Sequence, residues 1–203
     1  MNPSLVGSEM CIRDSIGRAQ RLEDANARYI EFVKNTFDKA QSLEGIKVVV
    51  DCANVASYMS APTILWELGA DVIQIGNKPN GYNINKGFGS TDTSMLVHTV
   101  LKEKADMGFA LDGDGDRLIV CDENGSIVDG DQILGLLALH LKSKESLKDN
   151  SVVATMMSNL GLEKKLSDNS ISLIRTAVGD RYIKEEIIKK DLSICLLYTS
   201  DAA

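Results

Sequence analysis

Short β-branched runs alternate with longer helical stretches over most of this chain. Such alternation is typical of strand–helix units built around a mostly parallel sheet. The predicted fold class is therefore α/β, with mixed, mostly parallel sheets flanked by helices. The predicted strands cover residues 46–50, 72–75, 107–111, 118–121, 152–155 and 171–175, and the predicted helices cover residues 23–40, 55–69, about 90–104, 130–142, 159–168 and 180–190.

A polar stretch at 143–150 interrupts this rhythm and indicates a boundary between two units. The helix at 130–142 is apolar almost all round, which predicts that it is buried. The two ends of the chain show neither period and resemble translated sequencing-adapter DNA, so we expect non-native tails there. A native disordered tail at each end is the alternative. The predicted organisation is a tail at 1–15, a helix ending a preceding domain within 16–42, a complete domain at 43–146, the start of another at 147–194 and a second tail at 195–203.

Composition narrows the function classes. The chain has 203 residues and a formal net charge of -7, which disfavours binding to the phosphates of nucleic acids. No apolar run reaches the roughly 18 residues that a membrane-spanning helix needs. The cysteines are scattered and form no CxxC pair, which favours reduced thiols and a cytoplasmic location. They are Cys11, Cys52, Cys121 and Cys195.

One motif carries chemistry. Residues 112–117 read Asp-Gly-Asp-Gly-Asp-Arg, between two predicted strands. In an extended segment Asp112, Asp114 and Asp116 point to one side. Two unit charges 4 Å apart repel by about 4 kcal/mol at an effective dielectric near 20, and a divalent cation removes that repulsion. Ligands that are all oxygen favour a hard metal, which leaves magnesium, calcium and manganese open.

Two other interpretations of the motif are weaker. A calcium EF-hand loop counted from Asp112 would have its twelfth residue at Glu123, as required, but its sixth would be Arg117 where Gly is needed for a sharp turn. The predicted flanks are also strands and not helices. A plain acidic turn would not need three alternating acids with two interleaved glycines. Arg117 itself has two open roles, holding a phosphate oxygen or pairing with a neighbouring aspartate.

The motif and its surroundings resemble the α-D-phosphohexomutase superfamily, and within it the phosphoglucosamine mutase family. The resemblance covers about 16–194. The segments that carry it, besides the metal loop, are 50–54 (Val-Asp-Cys-Ala-Asn), 61–62 (Ala-Pro), 67–70 (Glu-Leu-Gly-Ala), 83–85 (Asn-Ile-Asn), 89–91 (Gly-Ser-Thr), 157–162 (Met-Ser-Asn-Leu-Gly-Leu) and 176–182 (Thr-Ala-Val-Gly-Asp-Arg-Tyr).

That resemblance implies a four-domain isomerase whose substrates are sugar phosphates. It interconverts glucosamine 6-phosphate and glucosamine 1-phosphate on the route to cell-wall sugars. The resemblance also implies a phosphoserine enzyme with Mg²⁺ held by Asp112, Asp114 and Asp116. Arg117 is expected beside the phosphate. Asp180 and Arg181 are expected on a loop facing the cleft, although a solvated helix start is an equally good interpretation of that pair. The sequence indicates no particular oligomeric state.

The chain also departs from the family pattern. No serine lies in a loop of the phosphoserine type, so no catalytic residue is predicted within the chain, and we expect no turnover from it alone. Val55 stands where the family usually has Gly, which we expect to alter a turn only. The alternatives are another phosphohexomutase, for mannose or glucose phosphates, or a non-catalytic metal-binding α/β module.

Overall fold

Two sheets with helices on both faces form the described part of the chain, residues 22–115 and 117–196, in the computed structural model. The first sheet has the strand order β2-β1-β3-β4-β5 and the second β7-β6-β8. The strands are β1 Lys47–Asp51, β2 Asp71–Ile75, β3 Met107–Leu111, β4 Leu118–Asp122, β5 Ile127–Val128, β6 Ser151–Thr155, β7 Ser172–Thr176 and β8 Cys195–Leu196. The helices are α1 Ala25–Lys34, α2 Ser60–Glu67, α3 Ser94–Glu103, α4 Gly130–Ser143, α5 Leu160–Asp168 and α6 Asp180–Lys190. Short 3₁₀ turns cover Ala56–Tyr58 and Lys148–Asn150.

Strand β1 lies at the centre of the first sheet. It pairs in parallel with β2 and β3, while β3, β4 and β5 continue the sheet as antiparallel neighbours. Successive side chains of β1 point to opposite faces. Val48 and Val50 pack in the cluster that includes Ala70 of the α2 side, and Val49 packs with Leu96 of α3. The predicted α/β class with a mostly parallel sheet is confirmed.

Helix α1 ends earlier than predicted, at Lys34 and not near residue 40. The side chains that follow the helix donate hydrogen bonds to carbonyls of its last turn. Asn35 Nδ2 donates to Glu31 O at 2.7 Å, and Thr36 Oγ1 donates to Val33 O at 2.7 Å. Local bonds of this kind compete with helix continuation. Apolar periodicity to Phe37 predicted a longer helix because it carries no information about this competition.

The sequence predicted the end of α2 correctly and the start of α3 incorrectly. Gly69 follows α2 with φ +105°, and the Gly69 and Ala70 amides donate to two carbonyls of the last turn, which is a Schellman motif. The prediction that Gly69 ends this helix is confirmed. The predicted start of α3 at Ser90 or Thr91 is wrong, because the Ser90 amide donates to Leu111 O at the end of β3. The helix begins at Ser94.

Helix α4 begins with a capping box between Asp129 and Gln132. Its buried residues Leu134 and Ala138 pack with Val152 and other residues of the second sheet, although the predicted boundary at 146/147 grouped this helix with the first unit. The prediction that α4 is buried nearly all round is wrong, because Leu136 is 68% exposed. A helix on a sheet buries only the side that faces it.

The second sheet is built on β6, whose five residues are all buried. It pairs in parallel with β7 along five residues and with β8 along two. Cys195 and Leu196, which the predicted second tail included, form β8; residues 197–203 and the first predicted tail lie outside the described residues. Among the helices described, none combines the length and apolar character needed to cross a membrane.

Candidate functional site

The Asp-Gly-Asp-Gly-Asp-Arg segment connects β3 to β4, at the carboxyl end of β3. Two backbone bonds close it: Asp112 N donates to Arg117 O at 3.3 Å, and Gly115 N donates to Asp112 O at 3.1 Å. Gly115 has φ +75°, a conformation that favours glycine. The flanks are strands, as predicted, which argues against a helix–loop–helix calcium site. Ligands collect at the carboxyl ends of strands in open α/β sheets, so the position suits a binding loop.

Asp112 is the buried member of this loop, with only 1% of its surface exposed. Its Oδ1 accepts a hydrogen bond from Arg117 N at 3.1 Å, and its Oδ2 accepts one from Arg117 Nε at 2.7 Å. Of the two roles that the sequence left open for Arg117, the structure shows pairing with a neighbouring aspartate. This charged pair fixes the orientation of the first carboxylate of the motif.

Asp114 is exposed and Asp116 lies outside the described residues. Within residues 22–115 and 117–196, no three His, Cys, Asp or Glu side chains come together as a metal site. The predicted convergence of Asp112, Asp114 and Asp116 therefore stays a prediction. The donors fit a hard cation in their chemistry, because each carboxylate oxygen has two lone-pair positions and Asp112 can accept from Arg117 and still bind a metal.

Asp51, at the end of β1, anchors the floor of the site and is wholly buried. Its Oδ1 accepts from Ala53 N at 2.9 Å and its Oδ2 accepts from Gly89 N at 2.8 Å. Burial raises the pKa of this carboxyl, the two backbone donors oppose the rise, and the charge of Asp92 adds to it. Sequence reasoning did not select Asp51, although a charged residue that directly continues a buried apolar run is a signal that could have found it.

The loop at 83–90 lies across the carboxyl ends of β1 and β3. Asn85 N donates to Ala53 O at 3.0 Å, and Ser90 N donates to Leu111 O at 3.0 Å. A Cβ at Gly89 would stand 2.7 Å from Ala53 Cβ and 2.9 Å from Leu111 O, so only glycine fits there. Motif segments far apart in the sequence are thus gathered around the 112–117 loop.

The remaining predicted site residues lie in the second unit. Asp180 begins α6, after Gly179 with φ +137°. The Arg181 side chain is 81% exposed, and its Nε pairs with Glu185 one turn along the same helix at 2.8 Å. The solvated-helix-start interpretation agrees with this arrangement, and a cleft-facing role for the pair stays a prediction. Val55 has φ -115°, an ordinary extended conformation, so its side chain causes no backbone strain.

Comparison with known families agrees with this architecture. Residues 27–125 match the model of phosphoglucomutase/phosphomannomutase alpha/beta/alpha domain II, and residues 129–196 match that of domain III. Two successive α/β/α units, the first with an acidic metal-type loop, define the class of protein. The chain belongs to the phosphoglucomutase/phosphomannomutase family. The division between the matched models, at 125/129, agrees with the packing of α4 on the second sheet.

Similar curated proteins carry the name phosphoglucosamine mutase. The chain is 55% identical over 172 residues to the phosphoglucosamine mutase of Parvibaculum lavamentivorans, covering 85% of this chain and 38% of that protein. It is 51% identical over 194 residues to that of Maricaulis maris (96% and 43%) and 56% identical over 182 residues to that of Granulibacter bethesdensis (90% and 40%). The chain thus spans about two fifths of the length of these relatives.

Solved structures show the same fold at low sequence identity. A phosphoglucomutase/phosphomannomutase family protein of Burkholderia thailandensis superposes with a TM-score of 0.73 at 20% identity, covering 84% of this chain and 37% of that one. An N-acetylglucosamine-phosphate mutase in its substrate complex superposes with a TM-score of 0.57 at 19% identity, covering 83% and 34%. At such identities the likeness supports the fold alone.

Proposed function

We propose that this chain supplies the metal-binding domain and part of the sugar-binding side of a mutase that interconverts glucosamine 6-phosphate and glucosamine 1-phosphate. The observation that carries the proposal is the 112–117 loop at the carboxyl end of β3, in a chain about 50% identical to proteins named phosphoglucosamine mutase. Those relatives are longer, so the complete reaction would also need the parts of the protein that they contain and this chain does not match.

The loop would hold the cation through Asp112, Asp114 and Asp116, and oxygen ligands of this kind suit Mg²⁺. A bound Mg²⁺ neutralises charge on a phosphoryl group in transfer. The chain's own contribution is to fix the ligands in advance. Asp112 is oriented by the Arg117 amide and guanidinium, and its burial keeps water from competing for those bonds.

Arg117 has a second task in the proposal. Its side chain is 50% exposed while its Nε is committed to Asp112, so the charge of the guanidinium lies at the edge of the loop and not within the core. A guanidinium in that position attracts the phosphate of an incoming sugar phosphate. Pairing with Asp112 and attraction of phosphate are compatible, because Arg carries five N–H donors.

Asp180 and Arg181 are the residues proposed to face the sugar phosphate from the second unit. They begin α6, where the Arg181 guanidinium supplies a positive charge for a phosphate and the Asp180 carboxylate can accept a hydrogen bond from a sugar hydroxyl. The names of the relatives favour glucosamine phosphates over mannose or glucose phosphates. The proposal places the protein among soluble, cytoplasmic enzymes of amino-sugar metabolism, in agreement with scattered cysteines that form no CxxC pair.

A chimera tests activity. The aligned 172-residue segment of the Parvibaculum lavamentivorans enzyme is replaced by the corresponding segment of this chain, and conversion of glucosamine 6-phosphate is measured. We expect Mg²⁺-dependent turnover that glucose and mannose phosphates do not match. Preference for one of those sugars would instead support a sibling phosphohexomutase.

An Asp114→Asn substitution in the active chimera tests the metal loop. It removes one charge with almost no change in shape, so we expect turnover to fall by more than about a hundredfold while the fold is retained. Glu123→Gln, in the exposed turn after β4, is the matched control and should leave turnover unchanged. An Asp114→Asn chimera with full activity would show that the loop assignment is wrong. A cation-binding but inactive chimera would favour the non-catalytic module.

A further inference from the structure

The side chain of Asn85 lies directly against the metal loop. Its Nδ2 is 2.9 Å from the position that a Cβ would take at Gly113, and its Oδ1 is 3.2 Å from the corresponding position at Gly89. The carboxamide thus fills the space between two glycines, one in the metal loop and one in the loop at 83–90. A side chain at either glycine would push it away.

The backbone of Asn85 is anchored. Its amide donates to Ala53 O, and its φ is +54°, in the left-handed region that Asn tolerates better than most residues. On the other side, Gly89 is held by Asp51 Oδ2. The carboxamide therefore extends from an anchored backbone and lies in contact with the position of a Cβ at Gly113.

The Asn85 Oδ1 atom is buried and has no hydrogen-bond donor among the residues that the structure describes. Burying an amide oxygen without a partner is unfavourable, because the oxygen loses its hydrogen bonds to water and gains none in the protein. A group of this kind in a native structure calls for an explanation, and strained or functional sites are where such groups occur. A residue that served stability alone would be replaced by an apolar side chain of similar shape without this cost.

We propose that Asn85 is a positioning residue for cation binding by the 112–117 loop. Gly113 separates Asp112 from Asp114, so the path of the chain at Gly113 sets the spacing of these two carboxylates. The Asn85 carboxamide fixes that path from behind. This inference rests on the proposed function, because it assumes that the loop binds a divalent cation.

The test measures cation affinity and not turnover. Mn²⁺ serves as the probe, since it accepts the same oxygen ligands and free Mn²⁺ is measured by its paramagnetic resonance signal. Asn85→Gly removes the carboxamide and keeps a residue suited to positive φ. Loss of a group that supports metal ligands typically costs 10–100-fold in affinity, and we expect a loss of about that size.

Asn150→Gly is the matched control. Asn150 also has a left-handed backbone, with φ +43°, but it is exposed in the second unit, away from the metal loop. We expect its Mn²⁺ affinity to stay within about twofold of the wild type, and both variants to unfold at similar temperatures. An Asn85→Gly chain that binds Mn²⁺ within about twofold of the wild type would overturn the proposal.

A double-mutant cycle tests the contact itself. Gly113→Ala should weaken Mn²⁺ binding in the wild-type chain, because the new methyl group meets Asn85 Nδ2 at 2.9 Å. In the Asn85→Gly background that obstacle is absent, so the same substitution should have little further effect. Equal losses in both backgrounds would contradict a positioning role.

Asp114→Asn separates this inference from the proposed function. If Asp114→Asn abolishes Mn²⁺ binding and Asn85→Gly leaves it intact, the loop binds the cation and only the role of Asn85 is wrong. If Asp114→Asn binds Mn²⁺ as the wild type does, the loop assignment falls, and the inference about Asn85 falls with it.

Discussion

The central strands of the two sheets, β1 and β6, end in the same kind of hydrogen bond but with different side chains. Each is a buried strand whose last side chain accepts the amide two residues further on: Asp51 Oδ1 accepts from Ala53 N at 2.9 Å, and Thr155 Oγ1 accepts from Met157 N at 3.2 Å. Of these two side chains, only Asp51 also binds a distant loop, because its Oδ2 accepts from Gly89 N. The comparison teaches that a carboxylate can organise two segments where a hydroxyl organises one.

The second unit obtains its long-range tie from another element. Asp131 of α4, which is 3% exposed, accepts through Oδ2 from Asn159 N at 2.7 Å. The sheets also differ in extent, since β1 pairs with β2 along five residues and with β3 along four, while β6 pairs with β7 along five and with β8 along two. Strand β8 is therefore held by the shortest pairing of these four neighbours.

Thiol reactivity should show the largest difference between the units. Cys52 follows β1 and is wholly buried, and burial, with the adjacent Asp51 charge, raises the pKa of its thiol to about 12. Cys195 lies on β8, is only partly buried, and has a pKa raised by burial. At pH 8 the thiolate fraction of Cys52 is about a thousandfold below that of a thiol titrating near 9.

We expect iodoacetamide to modify Cys195 far faster than Cys52, as followed by peptide mass spectrometry. In urea above the unfolding transition the two rates should converge, which is the control. Equal rates under native conditions would show that the two sheets open to the same degree.

A matched pair of core substitutions ranks next. Leu96 of α3 and Leu166 of α5 are both wholly buried, and they lie in clusters that share no residue. Replacement of a buried Leu by Ala costs about 3–5 kcal/mol. We expect each substitution to destabilise only its own unit.

Amide hydrogen exchange followed peptide by peptide allows this to be measured, because peptides from the two units report separately. In moderate urea Leu96→Ala should speed exchange in β1 and β3, and Leu166→Ala should speed exchange in β6 and β7 while leaving β1 and β3 unchanged. Exchange that rises equally in both units for either variant would mean that the two units unfold as one.

The same contrast shows what the sequence could predict. Periodicity located the central strands of both units, since runs such as 47–51 and 151–155 have the buried apolar character of parallel sheets. The Asp-Gly-Asp-Gly-Asp-Arg motif could be identified because its spacing is local, and its role as a metal site stays a prediction. The ends of the helices were harder to predict. Helix α1 stops at Lys34 because side chains that follow it bond to its carbonyls, and α3 starts later than predicted because Ser90 is hydrogen-bonded to the end of β3.

Parts of the site that depend on contacts distant in sequence were not predictable in this way. Asp51 receives Gly89, 38 positions along the chain, and no local pattern identifies that partner. Asn85 meets Gly113 for the same reason. The packing of α4 on the second sheet was not predicted, because the apolar pattern of a helix shows neither which sheet covers it nor which of its apolar side chains stay exposed.

Isosteric substitutions at the ends of the two central strands test the first comparison. Asp51→Asn places an amide NH₂ against one of two backbone N–H groups, and we expect a loss of about 1–3 kcal/mol at neutral pH, by urea unfolding. Thr155→Val removes one acceptor and should cost about 1 kcal/mol. A larger loss at Thr155 than at Asp51 would contradict the view that Asp51 organises two segments.

The pH dependence of the Asp51 difference has a defined sign. Burial raises the pKa of Asp51 above its ordinary value, so the folded chain binds a proton more readily than the unfolded chain. Stability from this group is fully present below the ordinary carboxyl pKa of about 3.9 and is lost as pH rises through the higher folded value. We therefore expect the advantage of the wild type over Asp51→Asn to shrink as pH rises through that window.

The smallest stability effects should come from two exposed arginines that form the same kind of pair in different units. Arg28 pairs with Asp24 at 2.6 Å and Arg181 with Glu185 at 2.8 Å, both four residues apart and both well exposed. Such pairs contribute about 0.3–0.5 kcal/mol, so Arg28→Ala and Arg181→Ala should be nearly indistinguishable in urea unfolding. In the active chimera they should differ, because only Arg181 is proposed to face the sugar phosphate: we expect Arg181→Ala to lower kcat/KM by about tenfold, equivalent to about 1.4 kcal/mol, and Arg28→Ala to leave it unchanged. Equal activities would assign Arg181 to a solvated helix start and remove it from the site.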